Sequence, residues 1–156
     1  HGKSDGGLTE FGRDVLRAME DRRMIVDLAH SSPAIVTDVL ASATRPVVIS
    51  HTGIKGACDS PRNISDTLMQ QVAAAGGLVG VGYWKGAVCD ASPAGSDFDG
   101  AVGTTFDVSE LAVLTREMME AGFTQNEIAK VMGGNIVRFM QENLPSKPAE
   151  PLKDGA

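Results

Sequence analysis

The sequence is poor in aromatic residues and in cysteine, and it contains no long apolar run. Of its 156 residues only 4% are aromatic and two are Cys. No stretch reaches the roughly 18 consecutive apolar residues that read as a transmembrane helix, so we expect no membrane span. Two cysteines, Cys58 and Cys89, do not make a disulfide framework. We therefore expect structural thiols in a reducing, cytoplasmic compartment.

Positive charge is also scarce. Lys and Arg number 14 against 20 Asp and Glu, which gives a formal net charge of −6. The only adjacent basic pair is Arg22-Arg23, so no basic stripe exists that could neutralise phosphates, and we expect no nucleic-acid partner. The chain starts HGKSDGGL, without an initiator Met or the basic and apolar segments of a signal peptide. We interpret this as an internal start, trimmed or cut from something longer.

The composition is otherwise that of a globular protein. Hydrophobic residues make up 42% of the chain, and its length favours a single domain. The same length excludes a complete (β/α)₈ barrel, which takes about 250 residues. We expect a flexible lead over residues 1–8, one folded domain over residues 9–143 and a disordered, Pro-rich tail over residues 144–156.

Three short apolar runs alternate with helical patterns in the first half of the chain. The runs predict buried strands over residues 24–29, 46–50 and 78–83. Helices are predicted before the first strand and between the strands, beginning near Thr9, Ser32-Pro33 and Ser65. This order predicts right-handed βαβ units with a parallel sheet.

The alternation breaks after Tyr83. Residues 85–96 contain Gly and Pro and show no helical stripe, although a parallel crossover usually needs a helix. Three further helices are predicted over residues 108–121, from Thr124, and over residues 135–143. We therefore expect one helix-and-strand unit to be missing from the α/β pattern.

Two predicted strands end in histidine, His30 and His51. Ligands of α/β folds bind where parallel strands end, so two imidazoles at neighbouring strand ends could share a metal such as zinc. Either histidine alone would more often be a loop or capping residue. Asp27, inside the first strand, is either a buried carboxylate paired with loop amides or a group that orients His30.

Several motifs together resemble the membrane (renal) dipeptidase family of zinc peptidases. The similar segments are GLTEFG (7–12), MIVDLAHSS (24–32), RPVVISHT (45–52), CDSPRNISD (58–66), AGGLVGV (75–81), SDFDG (96–100) and MGGN (132–135). The resemblance implies a (β/α)₈-like barrel that carries two zinc ions and hydrolyses dipeptides, in some members those with a C-terminal D-residue.

The resemblance also implies roles for individual residues. His30 and His51 match two histidines that bind one zinc, and Arg62 matches the arginine that holds the substrate's terminal carboxylate. Asp97 matches an aspartate that takes a proton from the metal-activated water and passes it to the leaving amine. Asp99, two residues later, is interpreted as a structural loop carboxylate.

Other family features have no counterpart in this sequence. The His-x-Asp motif of the first barrel strand, a bridging glutamate and an earlier substrate-binding histidine are absent, so the chain holds at most one partial zinc site. We expect a partial barrel, the C-terminal half with one unit missing. Two hypotheses follow: a zinc dipeptidase completed by a second copy or by a complementing N-terminal half, or a non-catalytic fragment with at most weak zinc binding.

Overall fold

The computed structural model describes residues 6–89 and 108–145. Within them, the chain forms two strands and seven α-helices. The first part holds α1 (Glu10–Asp21), α2 (Pro33–Ser42), β1 (Val48–Thr52), α3 (Asp66–Ala74), β2 (Leu78–Val81) and α4 (Lys85–Val88). A 3₁₀ turn over Val108–Glu110 leads into α5 (Ala112–Glu120), α6 (Gln125–Ala129) and α7 (Asn135–Asn143). None of the helices in these ranges has the length and hydropathy needed to cross a bilayer.

The sheet is parallel, as the strand–helix alternation predicts. Strands β1 and β2 pair through Val48 with Leu78 and through Ile49 with Val79. The predicted first strand over residues 24–29 is wrong as a full strand: it contributes a single parallel bridge, from Asp27 to Val48. Leu28 still donates to the Val48 carbonyl, and the chain then turns away from β1 at His30, whose φ of 66° is left-handed.

The helix starts follow the caps that the sequence predicts. The hydroxyls of Ser32 and Ser65 accept hydrogen bonds from the amides three residues later, and α2 begins with proline. Thr124 and Glu127 form a reciprocal capping box at the start of α6. These side chains satisfy amide groups that would otherwise lack partners, which fixes each helix start to one residue.

One helix was not expected. Residues 85–88 form the single turn α4, where the sequence shows no helical stripe. The turn ends at Cys89, whose φ of 56° is left-handed, and the missing helix-and-strand unit of the prediction falls on residues 90–96, outside the described ranges.

The core lies between the sheet and the first three helices. Its buried members alternate along the strands and recur on the inner faces of the helices; they are Leu16, Leu28, Val36, Val39, Val47, Ile49, Ile64 and Val72. Because Val47 and Ile49 point into this core, Val48 and Ser50 point to the other face of the sheet. That face lines an open cleft of about 790 Å³ together with α5, α7 and the segments on either side of α6.

Candidate metal and substrate site

A β-bulge presents one of the two predicted metal ligands. The register of β1 and β2 shifts between Ile49 and Thr52, so that Ser50 and His51 together face Gly80. His51 thus lies inside β1, which continues to Thr52, rather than after its end. A bulge bends the strand locally and redirects its side chains, and bulges are frequent beside active sites.

Gly80 makes this bulge possible. A Cβ atom on Gly80 would lie 2.1 Å from the Ser50 carbonyl oxygen, far inside van der Waals contact. Only glycine allows the two backbones to approach so closely at this point. The sequence contains a signal for this feature, since an isolated glycine within a strand pattern suggests a bulge.

The two histidines meet across the sheet edge. Nε2 of His30 lies 2.9 Å from Nε2 of His51, and the ring centroids are 4.9 Å apart at an interplanar angle of 67°. His30 reaches this position from the turn after residue 27, and His51 reaches it from the bulge. The structure therefore brings together the two imidazoles that the sequence singles out, while their metal-binding role stays a prediction.

Arg62 lies directly beside the histidine pair. Its guanidinium Nη2 is 3.3 Å from His30 Nε2, and its Cζ lies 5.2 Å from the ring centre of Trp84. The Arg62 charge, with partial desolvation and the nearby His51, lowers the pKa of His30 below its ordinary value. A neutral imidazole is the form that can bind a metal.

Trp84 is a site residue that the sequence reasoning missed. Its ring centre lies 6.2 Å from that of His51 and covers one side of Arg62. An aromatic face holds a guanidinium by cation–π attraction and limits its rotamers. The only available signal was that the single Trp of the chain directly follows the third predicted strand.

Asp27 holds the two histidine-bearing segments together. Its Oδ1 accepts hydrogen bonds from the amides of Ala29, at 2.9 Å, and Ser50, at 3.1 Å. Partial burial would raise the pKa of Asp27, but the hydrogen bonds from Ser50 and Ala29 outweigh it and hold the pKa below its ordinary value. Of the two readings left open by the sequence, the carboxylate paired with loop amides is the one these contacts support.

The expectation of free thiols at Cys58 and Cys89 is wrong. The two residues form a disulfide with a Cα–Cα distance of 5.4 Å, although 31 positions separate them in the sequence. The chain brings them together because the loop after β1 folds back onto α4. The expectation of a reducing compartment rested on free thiols and loses that support.

A buried asparagine reinforces the same junction. Asn63 is 7% exposed, and its Nδ2 donates to the carbonyls of Cys58, at 2.9 Å, and Ala87, at 2.8 Å. Asn63 follows Arg62 directly, and Ala87 lies three residues after Trp84. The disulfide and these hydrogen bonds therefore fix the loop that carries Arg62 against the turn that carries Trp84.

His30, His51 and Arg62 line one cavity of about 460 Å³. This volume lies within the range of about 300–1,000 Å³ that small-molecule sites occupy. Lys55, Asn63 and Ser65 add polar groups to the wall, and Val36 and Leu68 add apolar ones. The cavity combines cationic groups with two imidazoles, which suits a small anionic ligand.

The donor set fits half of a zinc site. Imidazole nitrogens bind zinc at about 2.0–2.1 Å, so two of them on one tetrahedral ion lie about 3.4 Å apart, close to the 2.9 Å between the His30 and His51 Nε2 atoms. Across residues 6–89 and 108–145, no group of three or more His, Cys, Asp or Glu side chains could hold a metal. Asp97, the predicted proton carrier, lies outside these ranges, as does Asp99.

Comparison with known proteins gives consistent matches. The chain is 28% identical to dipeptidase 3 of Rattus norvegicus over 87% of its own length and 33% of that protein's. It is 30% identical to an uncharacterised dipeptidase of Schizosaccharomyces pombe over 96% of its length and 44% of that protein's. The chain thus spans less than half the length of these relatives.

A solved structure shares the fold. A metallopeptidase of Rhodobacter sphaeroides, crystallised with a phosphinate mimic of the dipeptide L-Ala-D-Ala, superposes with a TM-score of 0.77 at 22% identity. The match covers 90% of this chain and 48% of that one. The family model for membrane dipeptidase, peptidase family M19, matches residues 1–94 and 90–150. The chain therefore belongs to the membrane dipeptidase family, peptidase family M19.

Proposed function

We propose that this chain is the C-terminal half of a (β/α)₈ zinc dipeptidase and supplies the substrate's carboxylate clamp and two ligands of one metal. The observation that carries the proposal is the convergence of His30, His51 and Arg62 on one cavity. Membership of a dipeptidase family supports a dipeptide as the substrate.

Arg62 is the residue we assign to substrate binding. A guanidinium presents a planar fork of donors that matches a carboxylate in a bidentate pair. The Trp84 ring on one side and the backbone hydrogen-bonded by Asn63 restrict the Arg62 guanidinium. Substrate binding therefore costs less conformational entropy at this side chain. The terminal carboxylate of a dipeptide would displace the contact of Arg62 with His30.

His30 and His51 are the residues we assign to the metal. When bound, zinc supplies a Lewis acid that polarises the peptide carbonyl and activates water. Asp97, by resemblance, holds the proton released from that water and returns it to the leaving amine. The protein's own contribution is to fix the ligands, because Asp27 ties both histidine-bearing segments to one carboxylate.

A non-catalytic role for the isolated chain remains the second candidate. It is favoured by the lack of a third ligand beside His30 and His51 in the described ranges, since zinc usually takes three or four protein ligands. The first proposal instead requires that the remaining ligands come from a complementing N-terminal half or a second copy. Apolar residues on the cleft below the sheet, such as Val81 and Ile136, support such association.

Zinc titration and a hydrolysis assay test the proposal together. We expect the wild-type chain to bind one zinc weakly, and His30→Ala and His51→Ala each to abolish that binding. Hydrolysis of Ala-Ala is expected only after addition of an N-terminal half from a full-length relative, and Arg62→Ala should raise KM more than it lowers kcat. Zinc binding that survives both histidine substitutions would reject the site.

A further inference from the structure

The disulfide between Cys58 and Cys89 joins two short turns that each carry one part of the carboxylate clamp, which is Arg62 with the Trp84 ring beside it. The first turn runs from Cys58 to Asn63 and carries Arg62, and the second runs from Trp84 to Cys89. The Arg62 Cζ lies 5.2 Å from the Trp84 ring centre, so the two turns meet a second time at this contact. The position of the guanidinium over the ring therefore depends on how the turns are held together.

Hydrogen bonds restrict the first turn. The Ser60 amide donates to the Cys58 carbonyl at 2.8 Å, and the Asn63 amide donates to the Ser60 carbonyl at 3.0 Å. The Ser60 hydroxyl also accepts a hydrogen bond from the Arg62 amide at 3.3 Å. A displacement of Cys58 therefore moves the backbone of Arg62, because no flexible loop separates the two residues.

The second turn is hydrogen-bonded as well. The Trp84 carbonyl accepts from the amides of Ala87, at 2.7 Å, and Val88, at 3.2 Å, and these bonds close the single turn α4. Cys89 follows α4 directly, so a displacement of Cys89 moves the backbone of Trp84. The disulfide thus sets the distance between the two turns at the end opposite to the contact of Arg62 with the ring.

The main core lies apart from this disulfide. In the described part of the chain, neither cysteine is a member of the core between the sheet and helices α1–α3. The Asn63 Nδ2 atom also donates to the Ala87 carbonyl at 2.8 Å, so a hydrogen bond still joins the two turns when the disulfide is open. Reduction should therefore leave the chain folded and loosen the contact of Arg62 with Trp84.

We propose that the Cys58–Cys89 disulfide positions the carboxylate clamp, so that its reduction weakens dipeptide binding while the chain stays folded. The inference rests on the proposed role of Arg62 in binding the substrate's carboxylate. The oxidised chain holds the guanidinium against Trp84 before the substrate arrives. The reduced chain must order this side chain during binding, which costs about 3- to 10-fold in affinity.

A dithiol can open the bond by thiol–disulfide exchange. Cys89 is exposed and Cys58 is 3% exposed, so we expect the attacking thiolate to reach the Cys89 sulfur. That attack forms a mixed disulfide with Cys89 and releases the Cys58 thiolate, which takes up a proton. The second thiolate of the reductant then displaces Cys89 and closes an intramolecular disulfide. Two electrons and two protons thus pass from the dithiol to the two cysteines.

The experiment titrates the zinc-free full chain with Ala-Ala, before and after reduction by dithiothreitol, and measures the affinity by calorimetry. We expect the oxidised wild type to bind about 3- to 10-fold more tightly than the reduced one. The double variant Cys58→Ser, Cys89→Ser should match the reduced wild type, and dithiothreitol should not change its affinity. Ala-Ala amide, which lacks the carboxylate, should not bind, and Arg62→Ala should not bind Ala-Ala.

Trp84→Ala tests whether the disulfide acts through the contact with the ring. This variant keeps the disulfide, and its oxidised form should bind Ala-Ala as weakly as the reduced wild type does. Reduction of Trp84→Ala should then cause no further loss of affinity, because the two changes remove the same contact. A disulfide that acts on stability alone would weaken binding by the same factor with and without the ring, which would contradict the inference.

Acrylamide quenching of Trp84, the single Trp of the chain, is a second measurement that needs no ligand. Quenching should increase on reduction, because the ring loses its contact with Arg62, while the far-UV circular dichroism stays unchanged. Loss of the far-UV signal on reduction, or equal affinity and equal quenching in both redox states, would overturn the inference. An oxidised wild type that does not bind Ala-Ala would overturn the proposed role of Arg62, while the quenching comparison still decides whether the disulfide holds Arg62 against Trp84.

Discussion

Residues 9–89 and residues 108–145 both carry amphipathic helices, but the two regions bury very different shares of their apolar side chains. All but two of the buried hydrophobic residues lie in the first region, and the exceptions are Ile128 and Phe139. Helix α5 has no buried residue at all. Helices α1–α3, which cover the strands, contribute to the main core, whereas α6 and α7 each bury one residue outside it.

The first region has that strand layer. Helices α1–α3 close over β1 and the parallel bridge at residue 27, and each helix contributes at least one side chain that is almost fully buried. The second region meets the sheet from the other face, across the open cleft of about 790 Å³. Large apolar residues therefore stay exposed there, among them Met119, Val131, Ile136 and Val137. The described residues of the candidate site, His30, His51, Arg62 and Trp84, all belong to the well-packed region.

The same substitution in both regions gives the largest expected contrast. Ile49 is 3% exposed and Ile136 is 46% exposed. Ile49→Ala should lower the free energy of unfolding by about 2–5 kcal/mol, because it leaves a cavity in the core. Ile136→Ala should change it by less than about 1 kcal/mol. Urea unfolding followed by Trp84 fluorescence measures both, and equal effects would show that the second region is packed as tightly as the first.

Removing the disulfide should have the next largest effect. The double variant Cys58→Ser, Cys89→Ser frees a loop of 31 residues and should cost about 2–4 kcal/mol. The disulfide and Trp84 both lie in the first region. The urea midpoint measured by Trp84 fluorescence should therefore be lower in the double variant than in the wild type. The wild type with its disulfide reduced is the control for the serine side chains. If the double variant and the reduced wild type both keep the urea midpoint of the oxidised wild type, the disulfide does not stabilise the fold.

Gly80→Ala tests whether backbone contact at the bulge supports the first region. The added Cβ would meet the Ser50 carbonyl oxygen, so the strands must shift, at a cost of about 1–3 kcal/mol. The weak zinc affinity we propose should fall as well, because His51 would move with the bulge. Gly6→Ala is the control, since nothing lies within 4 Å of its added Cβ. Equal stability and zinc affinity in the two variants would contradict the tight approach.

The smallest expected effect is the pH-dependent contribution of Asp27 to the free energy of unfolding. The pKa of Asp27 is lowered in the folded chain, so its stabilising contribution is fully present above the unfolded value of about 4 and is lost as pH falls through the folded pKa. Asp27→Asn should cost about 1 kcal/mol at neutral pH. It should also flatten the decline of the urea midpoint as the pH falls below about 4.

Asp21→Asn removes an exposed carboxylate at the end of α1 and is the control for charge alone. The two variants should differ in the slope of stability against pH. Identical slopes would mean that the contacts of Asp27 with the Ala29 and Ser50 amides do not link its ionisation to folding.

Local features of the fold followed from the sequence. Ser32, Ser65 and Thr124 cap helices because a short hydroxyl side chain can satisfy an amide three residues ahead, which depends on neighbours in the chain alone. The order of strands and helices likewise predicted a parallel sheet and the approach of His30 to His51. The barrel, the zinc and the catalytic role of Asp97 stay predictions drawn from resemblance.

The starts of α2, α3 and α6 and the approach of the two imidazoles were predictable from the sequence, because they depend on residues a few positions apart and on strand order. The tertiary structure was needed to establish the bulge at Ser50, the disulfide between Cys58 and Cys89 and the position of Trp84 beside Arg62. Each of these needs the exact register or separation of segments distant in the chain. The hydrophobic periodicity of a segment cannot predict this, because it does not show which other segment of the chain packs against it or in which register.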